Sequence, residues 1–334
     1  MRAVFDVRQL AHAPALELHN GGFVAFAESP ARAEAIGAAI GPLEPAIDHG
    51  EGPLRAVHSE AYLAFLWAAH KDWRAAGRDG DAGAYAWPVV RRRPLDLERI
   101  DARLGAYSFD ASSPIAEGTW EGAYWAAQTA LTALDSVLGG DRAAFALCRP
   151  PGHHAGADYL GGYCYLNNAA IAAETGTAAG RRVAILDLDY HHGNGTQDIF
   201  YARGDVLFVS IHADPVMDYP YFWGHADELG EGEGEGATLN LPLPRGTDLA
   251  GYIPALDEAL KRIAAFAPDL LVLSYGADTY AGDPISFFRL ETWDYTVLAR
   301  RIAALGLPSL VVMEGGYAVE ELGVNVAAFL EGLS

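Results

Sequence analysis

The chain has 334 residues, 51% of them apolar, and a formal net charge of −21. That apolar share supplies a large core, yet no apolar run is long enough to span a bilayer, and residues 1–5 lack the long hydrophobic region of a signal peptide. The charge argues against nucleic acid, whose phosphates need clustered Lys and Arg; it favours the approach of cationic molecules, though acidity also simply keeps a protein soluble. Two cysteines, Cys148 and Cys164, are too few for a disulfide framework and suit a reducing cytoplasm.

In chain order, residues 77–114 form the least regular stretch. They carry Gly80, Gly83, Pro88, the basic run Arg91, Arg92, Arg93, and Pro94, with little apolar period. This predicts a long surface excursion, and such loops are often functional. A helix follows over 119–138. Thr119 is its expected cap, Trp120, Tyr124, Ala127, Leu131, Leu134 and Leu138 its apolar stripe, and Gly139-Gly140 its end. Short continuous apolar runs then recur at 144–147, 183–186, 206–209, 270–273 and 310–313. Unbroken runs of this length mark strands covered on both faces of a parallel sheet. Helical patterns over 252–266 and 292–305 separate the later ones. The alternation predicts a single domain over 1–334, a three-layer α/β/α architecture with a mostly parallel central sheet.

Polar residues cluster where these strands end. The first is followed by Arg-Pro-Pro-Gly-His-His-Ala-Gly (149–156), the second by Asp187, Asp189, His191, His192 and Asn194. The third leads into Ser210, His212 and Asp214, the fourth into Gly-Ala-Asp-Thr (276–279), the fifth into Glu-Gly-Gly-Tyr (314–317). Ligands of open parallel sheets bind outside the carboxyl ends of the strands, so the five turns predict one shared pocket.

Asp189 and His191 share a side if the backbone stays extended, and with Asp278 they give three ligands. That is the number a catalytic metal needs while keeping a position open, and zinc lowers the pKa of a water it holds to ~7. His153 and His154 can take a proton from water and return it to a leaving amine. Asp187 and Asn194 can hold the far nitrogens of that pair. Tyr317, after a flexible Gly-Gly, can donate its hydroxyl to a carbonyl oxygen as charge develops. These parts suit metal-assisted amide hydrolysis. Plainer readings exist for each: an exposed His pair, Asp278 capping a helix, Tyr317 packed in a turn. His192 is equally suited to no direct role, and His212 to a structural one.

The same motifs, with Gly-Gly-Tyr-Cys-Tyr-Leu-Asn-Asn (161–168), resemble the zinc deacetylase branch of the arginase-deacetylase superfamily. They are most similar to bacterial acetylpolyamine amidohydrolases, and similar also to histone deacetylases. The resemblance implies the arginase-deacetylase fold and zinc at Asp189, His191 and Asp278; Fe²⁺ or Co²⁺ suits the same ligands. It implies that His154 is the general base and acid, with His153 its electrostatic partner, and that Tyr317 polarises the acyl carbonyl. Gly162, Tyr163 and Tyr219 would border a narrow substrate channel. Asp187 and Ser210, with backbone carbonyls of Asp189, His191 and Ile211, match a potassium site. The 77–114 excursion resembles a loop through which the polyamine enzymes form homodimers and narrow the active-site mouth.

One position departs from the pattern. The polyamine enzymes carry a glutamate that meets a distal substrate ammonium where this chain has Ser112. Asp110 and Glu117 are the candidates to replace it. The expected substrate is a small acetylated cation. The alternatives are a protein acetyl-lysine deacetylase, disfavoured by an occluding loop, and a manganese ureohydrolase, disfavoured by the His pair and Tyr317.

Overall fold

The five expected strands form the middle of a wider sheet. The structure, a computed structural model, describes residues 1–88 and 95–334, so Arg91, Arg92, Arg93 and Pro94 lie outside the described residues. The chain begins with β1 (Arg2–Val4), the hairpin β2 (Leu16–His19) and β3 (Gly22–Ala25), and helices α1 (Ala31–Ile40), α2 (Gly52–Arg55), α3 (Glu60–Ala75), α4 (Ile100–Ala106) and α5 (Thr119–Leu138). It continues through β4 (Ala143–Ala146), α6 (Asn168–Ala178), β5 (Val183–Asp187), α7 (Asn194–Phe200), β6 (Val206–Ala213) and β7 (Thr238–Leu243). It closes with α8 (Leu249–Phe266), β8 (Leu270–Tyr275), α9 (Thr292–Ala303), β9 (Ser309–Met313) and α10 (Val319–Leu333).

Seven strands lie in the order β1-β4-β9-β8-β5-β6-β7, and every pairing in that sheet is parallel. The two-residue period of a strand divides its side chains between two cores. Ala184, Leu186, Leu271, Leu273, Val311 and Met313 pack with α1, α8, α9 and α10. Val183, Ile185, Leu270, Val272, Leu310 and Val312 pack on the other face with α5 and α6. Both faces are covered, which is why the runs read as continuously apolar.

Four local expectations change. Ser210 to Ala213 belong to β6 rather than to the turn after it, because β7 pairs along 208–213. β7 alternates its burial and holds Pro242, which an edge strand tolerates. The 77–114 stretch is not structureless: α4 buries Ile100 and Leu104, and Ala82 bridges to Ile115. Thr119 is the first residue of α5, not its cap; its Oγ1 instead accepts from the Ala116 amide, outside the helix. Finally, α9 stops at Ala303, two residues short of the expected end.

Candidate active site

At the end of β5 two aspartates fold the chain over its own carboxylates. Asp187 Oδ1 accepts from the Asp189 amide (3.1 Å), and Asp189 Oδ1 accepts from the His191 amide (2.9 Å). These successive Asx turns replace the extended backbone expected there; the turns, not the strand period, bring Asp189 and His191 together. Asp278, just after β8, accepts from the Tyr190 amide through Oδ1 (2.9 Å). Its Oδ2 lies 3.1 Å from His191 Nδ1, and Asp189 Oδ1 lies 3.3 Å from the same nitrogen.

One ligand atom from each of Asp189, His191 and Asp278 lies within 4.8 Å of the others. Burial, with the neighbouring charge of Asp189, pushes Asp278 up to about 7. Burial works against a charged His191, but its contacts with the two carboxylates outweigh this and hold it at about 10. Two buried carboxylates converging with an imidazole offer a cation three ligand atoms within reach of one point. The donor set fits a divalent metal of the zinc type. Gly315 leaves room for it to form: a Cβ there would sit 2.6 Å from Asp189 Oδ2 and 2.7 Å from Asp278 Oδ2.

His153 and His154 follow β4, with ring centroids 4.0 Å apart. Glu314, after β9, pins their loop by accepting from the Gly152 (2.7 Å) and His153 (3.2 Å) amides. The two rings differ in state. His153 Nδ1 lies 3.0 Å from Asp187 Oδ2 and its Nε2 3.7 Å from Asp189 Oδ1. Burial disfavours its charge, yet Asp189 and Asp187 prevail and raise it to about 10. His154 is held well below the usual histidine range by burial and by the charges of His153 and His191. Its Nδ1 lies 2.7 Å from Asn194 Oδ1. With Nδ1–H donating to that oxygen, Nε2 keeps a free lone pair.

Tyr317 is buried and packs on Tyr163 at 5.5 Å between ring centroids. Arg32 donates to the carbonyls of Gly316 (2.6 Å) and Glu314 (2.5 Å), bracketing the Gly-Gly turn before it. Burial raises the Tyr317 phenol well above its usual range, against the pull of Arg32, so it stays protonated. His154, His191, Tyr163, Tyr219, Asp110 and Tyr317 line a common cavity of about 420 Å³. Gly162 lines it too, at φ +55°, where a Cβ would meet the His154 ring at 2.2 Å; only glycine fits. A larger depression, about 880 Å³, opens at the amino ends of β5, β6 and β8, and its Arg203 is paired with Asp205 and Glu174.

The expected substrate residues fall differently. Asp110 lines the cavity, but its carboxylate already accepts from the Tyr219 hydroxyl (2.7 Å), the Gly162 amide (2.8 Å), and the Ser112 hydroxyl (2.8 Å) and amide (3.1 Å). It braces both walls. Glu117 is exposed and does not line the cavity. Ser112 does. Asp187 and Ser210 are register partners on β5 and β6. His212 is buried, with its ring nitrogens 2.8 Å from Ser210 Oγ and 2.8 Å from the Gly224 carbonyl, and His192 lies 3.1 Å from Asn240 Oδ1; neither reaches the cavity.

Sequence reasoning missed three contributors. Arg32 forms a buried pair with Glu28, four residues earlier and ahead of α1 (2.6 Å), and lies in no motif. Glu17, on β2, accepts from the Tyr163 hydroxyl (3.0 Å). The Asn20-Gly21 turn signal of a hairpin was available for that region. Asp283 accepts from the Tyr317 amide (2.7 Å).

The chain is similar to known proteins along nearly all of its length. It is 50% identical to acetylpolyamine amidohydrolase 2 of Pseudomonas aeruginosa over 322 residues, 95% of this chain and 94% of that one. It is 47% identical to the acetylpolyamine amidohydrolase of Mycoplana ramosa over the whole of both. The crystal structure of acetylpolyamine aminohydrolase from Burkholderia pseudomallei superposes with a TM-score of 0.96 at 44% identity, covering 100% of this chain and 98% of that chain. The pattern described as the histone deacetylase domain matches residues 30–333. With that match over most of its length and relatives at this identity, the chain belongs to the histone deacetylase family.

Proposed function

We propose that this protein hydrolyses the acetyl amide of acetylated polyamines, consuming water and releasing acetate and a free amine. The observation that carries this reading is the convergence on one cavity of a neutral imidazole, a metal-fitting trio and a protonated phenol. The names of relatives matching along nearly their full length support the same substrate class.

His154, neutral and with Nε2 free, accepts a proton from water as the water attacks the amide carbon. Tyr317 donates its hydroxyl to the carbonyl oxygen as negative charge develops. His153, kept charged by Asp189 and Asp187, stabilises that charge without exchanging the proton. His154 then returns its proton to the amine nitrogen as the C–N bond breaks. Asn194 and Asp187 keep the two rings oriented. A divalent ion such as Zn²⁺, Fe²⁺ or Co²⁺, held by Asp189, His191 and Asp278, would supply Lewis acidity at the carbonyl and the water.

Tyr163 and Tyr219 line the cavity, aromatic rings attract cations, and the charge of −21 raises the local concentration of cationic substrate. Asp187 and Ser210, adjacent on β5 and β6, would hold a potassium ion; a melting temperature unmoved by replacing potassium with sodium would remove that assignment. The 77–114 stretch exposes Tyr85, Trp87 and Leu95 and would meet a second copy of the chain. The buried free thiols Cys148 and Cys164 suit a reducing cytoplasm.

His154→Ala and Tyr317→Phe test the assignment of roles. Each should keep the fold and metal content while kcat falls, by ~10²–10⁴-fold for the histidine and ~10²–10³-fold for the tyrosine. Near-normal kcat/KM in either variant removes the role given to that residue.

A further inference from the structure

The turn that carries Tyr317 is held peptide by peptide. Arg32 takes the carbonyls of Glu314 and Gly316, and Asp189 accepts from the Gly315 amide (2.8 Å). Only one of these anchors acts on the tyrosine's own amide: Asp283 Oδ2, at 2.7 Å. The anchor matters because Gly316, at φ +126°, gives the preceding backbone freedom that other residues lack.

Asp283 is buried, 7% exposed, and its second oxygen is also committed. Oδ1 accepts from the Ile285 amide (3.0 Å). Ile285 and Pro284 line the mouth of the cavity, and Ile285 packs against the cluster of Phe26, Tyr163 and Tyr317. One carboxylate thus grips the rim with one oxygen and the polarising tyrosine with the other. Its own amide donates to the Tyr280 carbonyl (3.0 Å), so the carboxylate projects from a fixed turn rather than a free loop.

We propose that Asp283 is a positioning residue for Tyr317, locking the tyrosine's backbone to the rim turn at Ile285 so that a substrate seated at the mouth meets the phenol in its productive place. This rests on the reading of Tyr317 as the carbonyl polariser. The physical demand is strict: a misplacement of ~1 Å in a positioned group can cost ~10²-fold in rate. Asp283→Asn keeps the shape but leaves one acceptor oxygen for two amides, and it replaces charge-assisted bonds by weaker neutral ones.

The experiment is a double-mutant cycle on the metal-loaded enzyme, following acetylputrescine hydrolysis and metal content. Asp283→Asn is expected to lower kcat about 10-fold with KM within about 2-fold and unchanged metal content, as for a group acting only in the transition state. In the Tyr317→Phe background the same substitution should cost less than about 2-fold, because residues that act as one unit are not additive. A merely structural role would give the same loss in both backgrounds. A full 10-fold loss in both, or a rise in KM with kcat intact, overturns the proposal while leaving Tyr317 in its role. If Tyr317→Phe itself keeps its rate, the reading of Tyr317 fails and takes this proposal with it. Asp283→Ala, which leaves both amides without a partner, should show the same cycle with a larger single loss; the asparagine variant serves where the alanine variant does not fold.

Discussion

Replacing Gly315 by alanine should weaken metal binding at least ~100-fold without substituting any metal ligand. A Cβ at that position would lie 2.6 Å from Asp189 Oδ2, 2.7 Å from Asp278 Oδ2 and 3.1 Å from Asp278 Cγ. Ordinary contact begins near 3.4 Å, so the two carboxylates must retreat by about 0.8 Å and about 0.7 Å, each in a wall that has no slack. A metal site tolerates ligand displacements of only about ±0.2 Å. Gly315 does not occupy the left-handed region, so alanine adds no backbone strain, and the global cost should stay near the ~1–3 kcal/mol of core overpacking. Moving partners of the ligands alone typically costs ~10–100-fold in metal affinity; moving two ligands should cost at least ~100-fold. The assay is a Co²⁺ titration of metal-free protein followed by visible absorption, beside a thermal melt by circular dichroism. Gly83→Ala, with nothing within 4 Å of the added methyl, is the control. A folded Gly315→Ala protein that binds Co²⁺ with the wild-type midpoint and spectrum would refute the placement of the metal between Asp189 and Asp278.

Two further outcomes follow from other parts of the chain. Burial pushes the Glu17 carboxyl up from 4.5 to about 7, against the hydrogen bond from Tyr163. Between those values the unfolded chain releases a proton that the folded one retains, so this group's contribution to stability is present below about pH 4.5 and is lost as pH rises through 7. Glu17→Gln should therefore gain stability relative to the parent between pH 5 and pH 8, by on the order of 2 kcal/mol in urea denaturation; parallel pH profiles would sink this account of Glu17. Light scattering at micromolar concentration should report a dimer, and a monomer there would contradict the contact assigned to residues 77–114.

The parts of the fold legible in the sequence were those whose pattern is local. Continuous apolar runs marked β4, β5, β6, β8 and β9 because both faces of each are covered. β1 has three residues and β7 carries a proline, so neither offers such a run, and their place is fixed by pairing with distant strands. The chemistry-bearing residues at strand ends were legible for the same local reason: His153, His154, Asp189, His191, Asp278 and Tyr317 each sit in a turn just beyond a strand. What joins them was not. Arg32 reaches Gly316 across 284 positions of sequence, and Asp283 reaches Tyr317 across 34. The sequence offers Asp110, with Glu117, as a candidate to meet a substrate ammonium, and only the folded chain reveals that Tyr219, Gly162 and Ser112 already occupy it. The α4 helix escaped because its apolar positions are few and its stretch is rich in glycine and proline.

The central claim is that the cavity hydrolyses acetyl amides of small flexible cations. It is tested most directly by comparing kcat/KM of the zinc-loaded protein, at moderate salt, on acetylputrescine, acetylcadaverine, acetylspermidine and an acetyl-lysine peptide. The account predicts that at least one acetylated diamine or polyamine is turned over more efficiently than the peptide. If the peptide is the better substrate against every small amine, the chain is a protein deacetylase; if none of the four releases acetate, the chemistry assigned to His154 and Tyr317 is wrong.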